Sequence, residues 1–237
     1  MNFFLFLRYV VNYIGGLRVS FFAYLVIKNK FTYLGKDKLH NIEDVTKKIL
    51  KYNIQGSFIE CGVAGGGSAL VISNILRGKR KLFLYDVFGL IPPPGVNASG
   101  FEKKRFEEIM KGESKGIKGD MYYGYQQDLK SLIVSRFKKM RLETKDIVFN
   151  VGLFQETLFP KSKIALAHID CDWYDSTKVC LERVSPFLSE GGFFIIDDYN
   201  TYEGCKVATD EFMKNNYDTF TVVAEASNLV IRKKTTK

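Results

Sequence analysis

Apolar and polar positions recur with two different periods along the chain, and the switches between them mark an alternating order of helices and strands. From Asp37 to Tyr52, Leu39, Ile42, Val45, Ile49 and Leu50 fall at three- and four-residue intervals, which predicts an amphipathic helix. SFIECGV (57–63) and KLFLYDV (81–87) are short apolar runs with β-branched and aromatic residues, the pattern of buried parallel strands. Between them AGGGSALVISNIL opens on glycines and continues as a helix to about Leu76. An irregular stretch, GLIPPPGVNASG, is followed by a short helix over FEKKRFEEIMKG, with Phe101, Phe106, Ile109 and Met110 as its apolar side. Residues 112–125, rich in Gly, Lys and Tyr, predict a loop or lid, and Leu129, Leu132, Ile133 and Phe137 predict a helix across 126–139. DIVFNVG (146–152), IALAHID and GGFFIID supply three more strands. The last two are separated by a helix carrying Val179, Leu181, Val184 and Leu188, which the Gly191–Gly192 pair is expected to end. GCKVATDEFMKNN predicts another helix, and TFTVVAEASNLVIRKK reads as a β-hairpin. The sum is a doubly wound, mostly parallel seven-stranded α/β sheet with an antiparallel C-terminal hairpin.

Residues 1–30 break this order and are set apart from a domain spanning 31–237. They are aromatic, aliphatic and basic, with no acidic residue before Asp37. Arg8 and Arg18 interrupt the apolar run, which argues against a membrane span and a signal peptide. Two uses remain open: a segment lying on an anionic membrane surface, or a helix packed on the protein's own body or on a second subunit in a homo-oligomer.

The net charge of +9 follows the same division. Residues 1–56 hold nine Lys/Arg against three acidic residues, leaving an excess of only +3 for the rest. A basic stripe on the main body, as nucleic-acid binding requires, is therefore not expected. The four cysteines, Cys61, Cys171, Cys180 and Cys205, show no CxxC or framework spacing, which fits a reducing, cytoplasmic setting, peripheral to a membrane if residues 1–30 attach to one.

Carboxylates do not belong in buried strands, yet Asp170/Asp172 and Asp197/Asp198 close the fourth and fifth apolar runs. At the carboxyl edge of a parallel sheet they point to a metal or substrate site; the alternative is that they cap the following helices. Crowded there, they would repel one another unless a cation such as Mg²⁺, which favours oxygen ligands, were bound. Glu60, Gly62, Gly65, Gly66, Gly67 and Ser68 form a glycine-rich strand-to-helix turn, suited to close approach of a ligand. Glu60, two residues before Gly62, would repel a pyrophosphate but suits a positively charged group, which favours S-adenosylmethionine over NAD. Asp86, closing the second strand, is placed to hold a ribose. An NAD-dependent oxidoreductase of the same sheet class is the rival enzyme reading.

The chain also resembles a known family, the macrocin O-methyltransferases. The resemblance rests on FTYLG (31–35), FIECGVAGGGS (58–68), DVFGL (86–90), GLFQETLF (152–159), HIDCDWYDST (168–177), LSEGGFFIIDDY (188–199) and GCKVATDEF (204–212), and covers about residues 31–232. It implies a Rossmann-like class I methyltransferase fold and a metal arrangement similar to catechol O-methyltransferase. It further implies that Asp170, Asp197 and Asp198 hold Mg²⁺, and that Glu60, Gly62, Gly66, Ser68 and Asp86 line the S-adenosylmethionine site, with Gly152 and Phe154 near the adenine. The implied reaction is methyl transfer to a sugar hydroxyl of a glycan or glycosylated metabolite, with Asp170, Asp172 and, less directly, His168 as proton acceptors. His168 and Trp173 depart from the family pattern, Arg and a smaller apolar residue being usual there. Residues 88–125 are expected to shape the acceptor pocket, Tyr33 to belong to a lid, and His40 to lie on the surface. A non-catalytic, membrane-attached binding protein that keeps the methyltransferase fold is the alternative outside enzymology.

Overall fold

The computed structural model describes residues 19–96 and 98–235, in which seven strands form one sheet. They are β1 (Ser57–Cys61), β2 (Leu82–Asp86), β3 (Ile147–Val151), β4 (Ile164–Ile169), β5 (Leu188–Ile196), β6 (Phe220–Glu225) and β7 (Leu229–Lys233). The spatial order is β3-β2-β1-β4-β5-β7-β6. β1 to β5 run parallel, and β7 lies antiparallel to both β5 and β6. The chain therefore reverses its direction of sheet growth between β1 and β4, the switch point at which open α/β sheets form a crevice.

Helices α1 (Phe21–Lys28), α2 (Lys36–Lys51), α3 (Gly67–Leu76) and α5 (Leu129–Lys139) share one face of the sheet, and α6 (Tyr174–Val184) and α7 (Glu203–Asn215) the other. A further helix, α4 (Gly100–Met110), follows the proline-rich loop and starts at a reciprocal cap between Ser99 and Glu102, and a single helical turn at Phe154–Thr157 follows β3. Alternate strand residues serve the two cores. Phe58, Leu84, Leu166 and Ile195 pack towards α2 and α3, while Ile59, Ile169, Phe194 and Ile196 pack towards α6 and α7.

α2 buries the stripe its periodicity predicts, Leu39, Ile42, Val45 and Ile49, with Leu50 half-buried at its edge. His40 is half-buried. The part of 1–30 that is described belongs to the main body: Val19, Ala23 and Val26 are fully buried in the core shared with α3. Ser20 caps α1 by accepting from the Ala23 N–H at 3.2 Å, and its own N–H donates to buried Glu43 at 2.9 Å. Residues 1–18, on which the membrane-surface reading chiefly rests, lie outside the described residues. No described helix is long and apolar enough to cross a membrane.

Two stretches differ from the sequence-based expectation. The helix after β4 is not ended by Gly191–Gly192; it stops at Val184, and a 3₁₀ turn at Ser185–Phe187 containing Pro186 redirects the chain. The glycines lie inside β5, where a Cβ at Gly192 would sit 2.8 Å from the Ser189 carbonyl oxygen. Residues 112–125 are more ordered than a plain loop. Two 3₁₀ turns and a Lys115–Met121 bridge fold them back, and the Tyr125 hydroxyl donates to the Ile109 carbonyl at 2.6 Å.

Candidate active site

The site lies at the carboxyl edge of β1, β2, β4 and β5, and its first half is the turn after β1. Gly62 has φ +86°, and a Cβ there would sit 1.7 Å from the carbonyl oxygen of Asp170, so only glycine fits. The two strand ends are tied directly: the Asp170 N–H donates to the Cys61 carbonyl at 2.8 Å, and the Gly62 N–H to Tyr85 at 2.9 Å. Asp86 fastens the turn from the other side. Its carboxylate accepts from the N–H groups of Val63 at 2.6 Å, Ala64 at 3.2 Å and Phe88 at 2.7 Å. Burial pushes its pKa up, opposed by those three donors. Ala64, Phe88 and Asp172 all adopt left-handed φ values, 43°, 51° and 59°, in the loops after β1, β2 and β4. Backbone strain of this kind collects where a site over-determines the chain.

The rest of the glycine-rich turn is covered by protein. At Gly67 a Cβ would meet Thr32 at 2.3 Å, because the Phe31–Thr32 segment crosses the turn. Gly66 and Ser68 accordingly lie outside the cavity wall, while Gly62, Ala64, Asp86, Gly152 and Phe154 line it. Glu60 also departs from its expected place beside the cofactor. Fully buried in β1, it faces its register partner in β4, and its Oε1 lies 3.0 Å from His168 Nδ1.

The second half is acidic. One carboxylate oxygen from each of Asp170, Asp172 and Asp198 lies within 4.8 Å of the others. Burial, then the negative charge of neighbouring aspartates, raises the pKa of Asp170 and Asp172 well above the usual carboxylate range, and raises that of Asp198. Asp197 stands apart from this trio although the sequence grouped it with the metal ligands. Its Oδ2 is 2.5 Å from Lys38 Nζ and its Oδ1 is 3.7 Å from His168 Nε2. Burial opposes the Asp197 charge, but the two cations outweigh it and hold its pKa down. His168 is buried between Glu60 and Asp197; burial works against its charge, yet the two carboxylates lift its pKa to about 9. Its imidazole is fully buried and does not line the cavity, whereas its neighbour Asp197 does.

The trio fits a small hard cation. Asp198 Oδ2 is buried without a hydrogen-bond partner, and three convergent carboxylate oxygens at this spacing match the donor chemistry of Mg²⁺. Lys38 lies closest to Asp197, at 2.5 Å, and 3.8 Å from Asp198, so it offsets the trio's charge only in part.

Both halves open into one cavity of about 550 Å³, within the range of small-molecule sites. Much of the rest of its wall is aromatic: Tyr33, Tyr122, Tyr123, Trp173 and Tyr202, joined by Arg105 of α4. Tyr33 packs edge-on to Tyr123 at 5.7 Å, Trp173 edge-on to Tyr202 at 5.5 Å, and the Trp173 indole N–H donates to the Pro92 carbonyl at 3.0 Å. Tyr33, expected as a lid residue, is thus part of this wall. Lys38, Arg105 and the 122–123 tyrosines were not singled out in the sequence. Only a Tyr-rich stretch and a basic residue near the start of α2 hinted at them.

A strand order of this kind, with a glycine turn after β1, a buried carboxylate closing β2 and an acidic rim, is that of the class I O-methyltransferase fold. Within that class the chain belongs to the macrocin O-methyltransferase family, whose model matches residues 28–222. It is similar to the 8-demethyl-8-(2,3-dimethoxy-α-L-rhamnosyl)-tetracenomycin-C 4′-O-methyltransferase of Streptomyces olivaceus, 28% identical over 187 residues covering 76% of this chain and 67% of that one. It is also similar to the demethyldecarbamoylnovobiocin O-methyltransferase of Streptomyces niveus, 29% identical over 196 residues covering 78% and 68% of the two chains. Among solved structures, the O-methyltransferase NovP superposes with a TM-score of 0.73 at 24% identity, covering 86% of this chain and 82% of that one.

Proposed function

We propose that this protein is an S-adenosylmethionine- and Mg²⁺-dependent O-methyltransferase that methylates a sugar hydroxyl of a glycan or glycosylated metabolite. The observation that carries the proposal is the convergence of three carboxylates on the cavity that also holds the Gly62 turn and Asp86. The relatives named for rhamnosyl-tetracenomycin and novobiocin precursors favour a glycosylated acceptor. Asp86, Gly62, Gly152 and Phe154 would contact the cofactor, which supplies an electrophilic methyl group. Asp170, Asp172 and Asp198 would hold the metal, which lowers the pKa of a bound hydroxyl and stabilises the alkoxide.

The protein's own part is to orient and to move a proton. The Asp170 backbone is tied to the Cys61–Gly62 segment, so donor and acceptor halves share one rigid floor. Asp172, at the turn into α6, lines the cavity with Tyr122 and Tyr202 and would serve as proton acceptor for a hydroxyl bound there. Asp197, His168 and Glu60 keep a fixed charge pattern beneath the site. The aromatic wall excludes water around the reacting oxygen.

The test is mass spectrometry for a product heavier by one methyl group across a panel of glycosides and nucleotide sugars, with Mg²⁺ and with chelator. Chelator should abolish the product and added Mg²⁺ restore it. Full turnover in chelator, or in Asp198→Asn, would overturn the metal-dependent reading.

A further inference from the structure

The cavity wall includes two cations, Lys38 and Arg105, in different surroundings. Lys38 is held by Asp197 and Asp198. Arg105 reaches the cavity from α4 on the aromatic side. Its Nη2 donates to the Ser114 hydroxyl at 2.8 Å, and its guanidinium lies over the Tyr122 ring with Cζ 5.7 Å from the centroid. Glu108 forms an exposed ion pair with it, 3.6 Å from Nη1, and Tyr202 lies beside it. A guanidinium has five N–H donors. Ser114 engages one, and the donors that remain on a group held by Ser114 and Tyr122 can receive a further acceptor in competition with Glu108.

Arg105, Tyr122, Tyr202 and the acidic trio line one cavity, and Tyr122 lies beneath the guanidinium. A sugar whose reacting hydroxyl lay at the trio would place its next substituent over the Tyr122 and Tyr202 faces, at Arg105. A neutral aglycone would leave the guanidinium desolvated and incompletely paired, which is costly. A phosphate or carboxylate there would be met in bidentate fashion, the geometry for which arginine is suited and lysine is not.

Resting on the methyltransferase reading above, we propose that Arg105 selects an acceptor that carries an anionic group next to the methylated sugar. Two sources share that chemistry: the diphosphate of a nucleotide- or lipid-linked sugar, and the carboxylate of an acidic sugar. Arg105 is here a specificity-determining residue, remote from the donor side of the cavity.

Calorimetry on the full chain, with saturating S-adenosylhomocysteine and Mg²⁺, separates the outcomes. The probes are thymidine diphosphate and glucuronate, with thymidine and glucose as their neutral counterparts. At least one anionic probe should bind more tightly than its neutral counterpart; which one does identifies the source of the charge. Arg105→Gln should weaken that binding about 10-fold or more while thymidine and glucose are unaffected, and Arg105→Lys should restore only part of it. Glu108→Gln, which removes the competing carboxylate, should tighten it a few-fold and lies on the exposed face, so misfolding is not at issue. Binding of the anion by Arg105→Gln as well as by wild type, or preference for neither anion over its neutral counterpart, would overturn the proposal. Absence of any S-adenosylhomocysteine heat in wild type would instead sink the underlying methyltransferase reading.

Discussion

Two adjacent aspartates, Asp197 and Asp198, occupy one strand end and have opposite surroundings. Asp198 sits with Asp170 and Asp172 in a mutually repelling trio, whereas Asp197 is neutralised by Lys38 and His168. Substitution should separate them. Asp198→Asn relieves repulsion, so metal-free stability should be kept while Mg²⁺ affinity, read by calorimetry, falls at least about 10-fold. Asp197→Asn leaves buried cations uncompensated and should cost about 3–5 kcal/mol of stability in denaturant unfolding. His168 yields a pH dependence whose sign is fixed. Its folded pKa of about 9 lies above the unfolded value of 6.5, so its contribution is complete below 6.5 and is lost as pH rises through 9. Its size is about 3 kcal/mol at most. Without Mg²⁺, stability of the wild type relative to His168→Gln should decline across that window; a constant difference would contradict the buried imidazolium.

At the scale of elements, the join between β1 and β4 is the feature most exposed to a single change. Gly62→Ala forces a Cβ into the Asp170 carbonyl and demands a left-handed φ, so it should cost more than about 3 kcal/mol and lower the melting temperature sharply. The strands around it were legible in the sequence because each is a short apolar run closed by a polar residue, and that local signal survives folding. The end of α6 was misread because Gly191–Gly192 imitates a helix stop, while Pro186 five residues earlier had already redirected the chain. The site was most legible at strand ends, which supply Gly62, Asp86, Gly152, Asp170, Asp172, Asp197 and Asp198, while Tyr33 and Phe154 came only with the family resemblance. Lys38 reaches Asp197 across 159 residues of sequence, and no local period encodes such a contact. Glu60 reads as a ligand carboxylate until the β1–β4 register sets it opposite His168.

For the whole molecule, cation binding should be felt as stability. Mg²⁺ at about 100 times its dissociation constant should add about 2.7 kcal/mol. Protons compete for carboxylates whose pKa values are raised, so the Mg²⁺-induced rise in melting temperature should grow as pH increases from acid towards neutral. The charge excess towards the amino terminus bears on location: flotation with anionic vesicles should recover the full chain and fail with neutral vesicles if residues 1–30 meet a membrane surface. The tie between Gly62 and Asp170 also has an engineering meaning. The strand ends proposed to hold donor and metal are joined by hydrogen bonds between adjacent strands, whereas Arg105, Tyr122 and Tyr123 come from one excursion between β2 and β3. That excursion is therefore a cassette: exchanging residues 88–125 with those of a relative should transplant acceptor preference while leaving the register of donor and metal untouched.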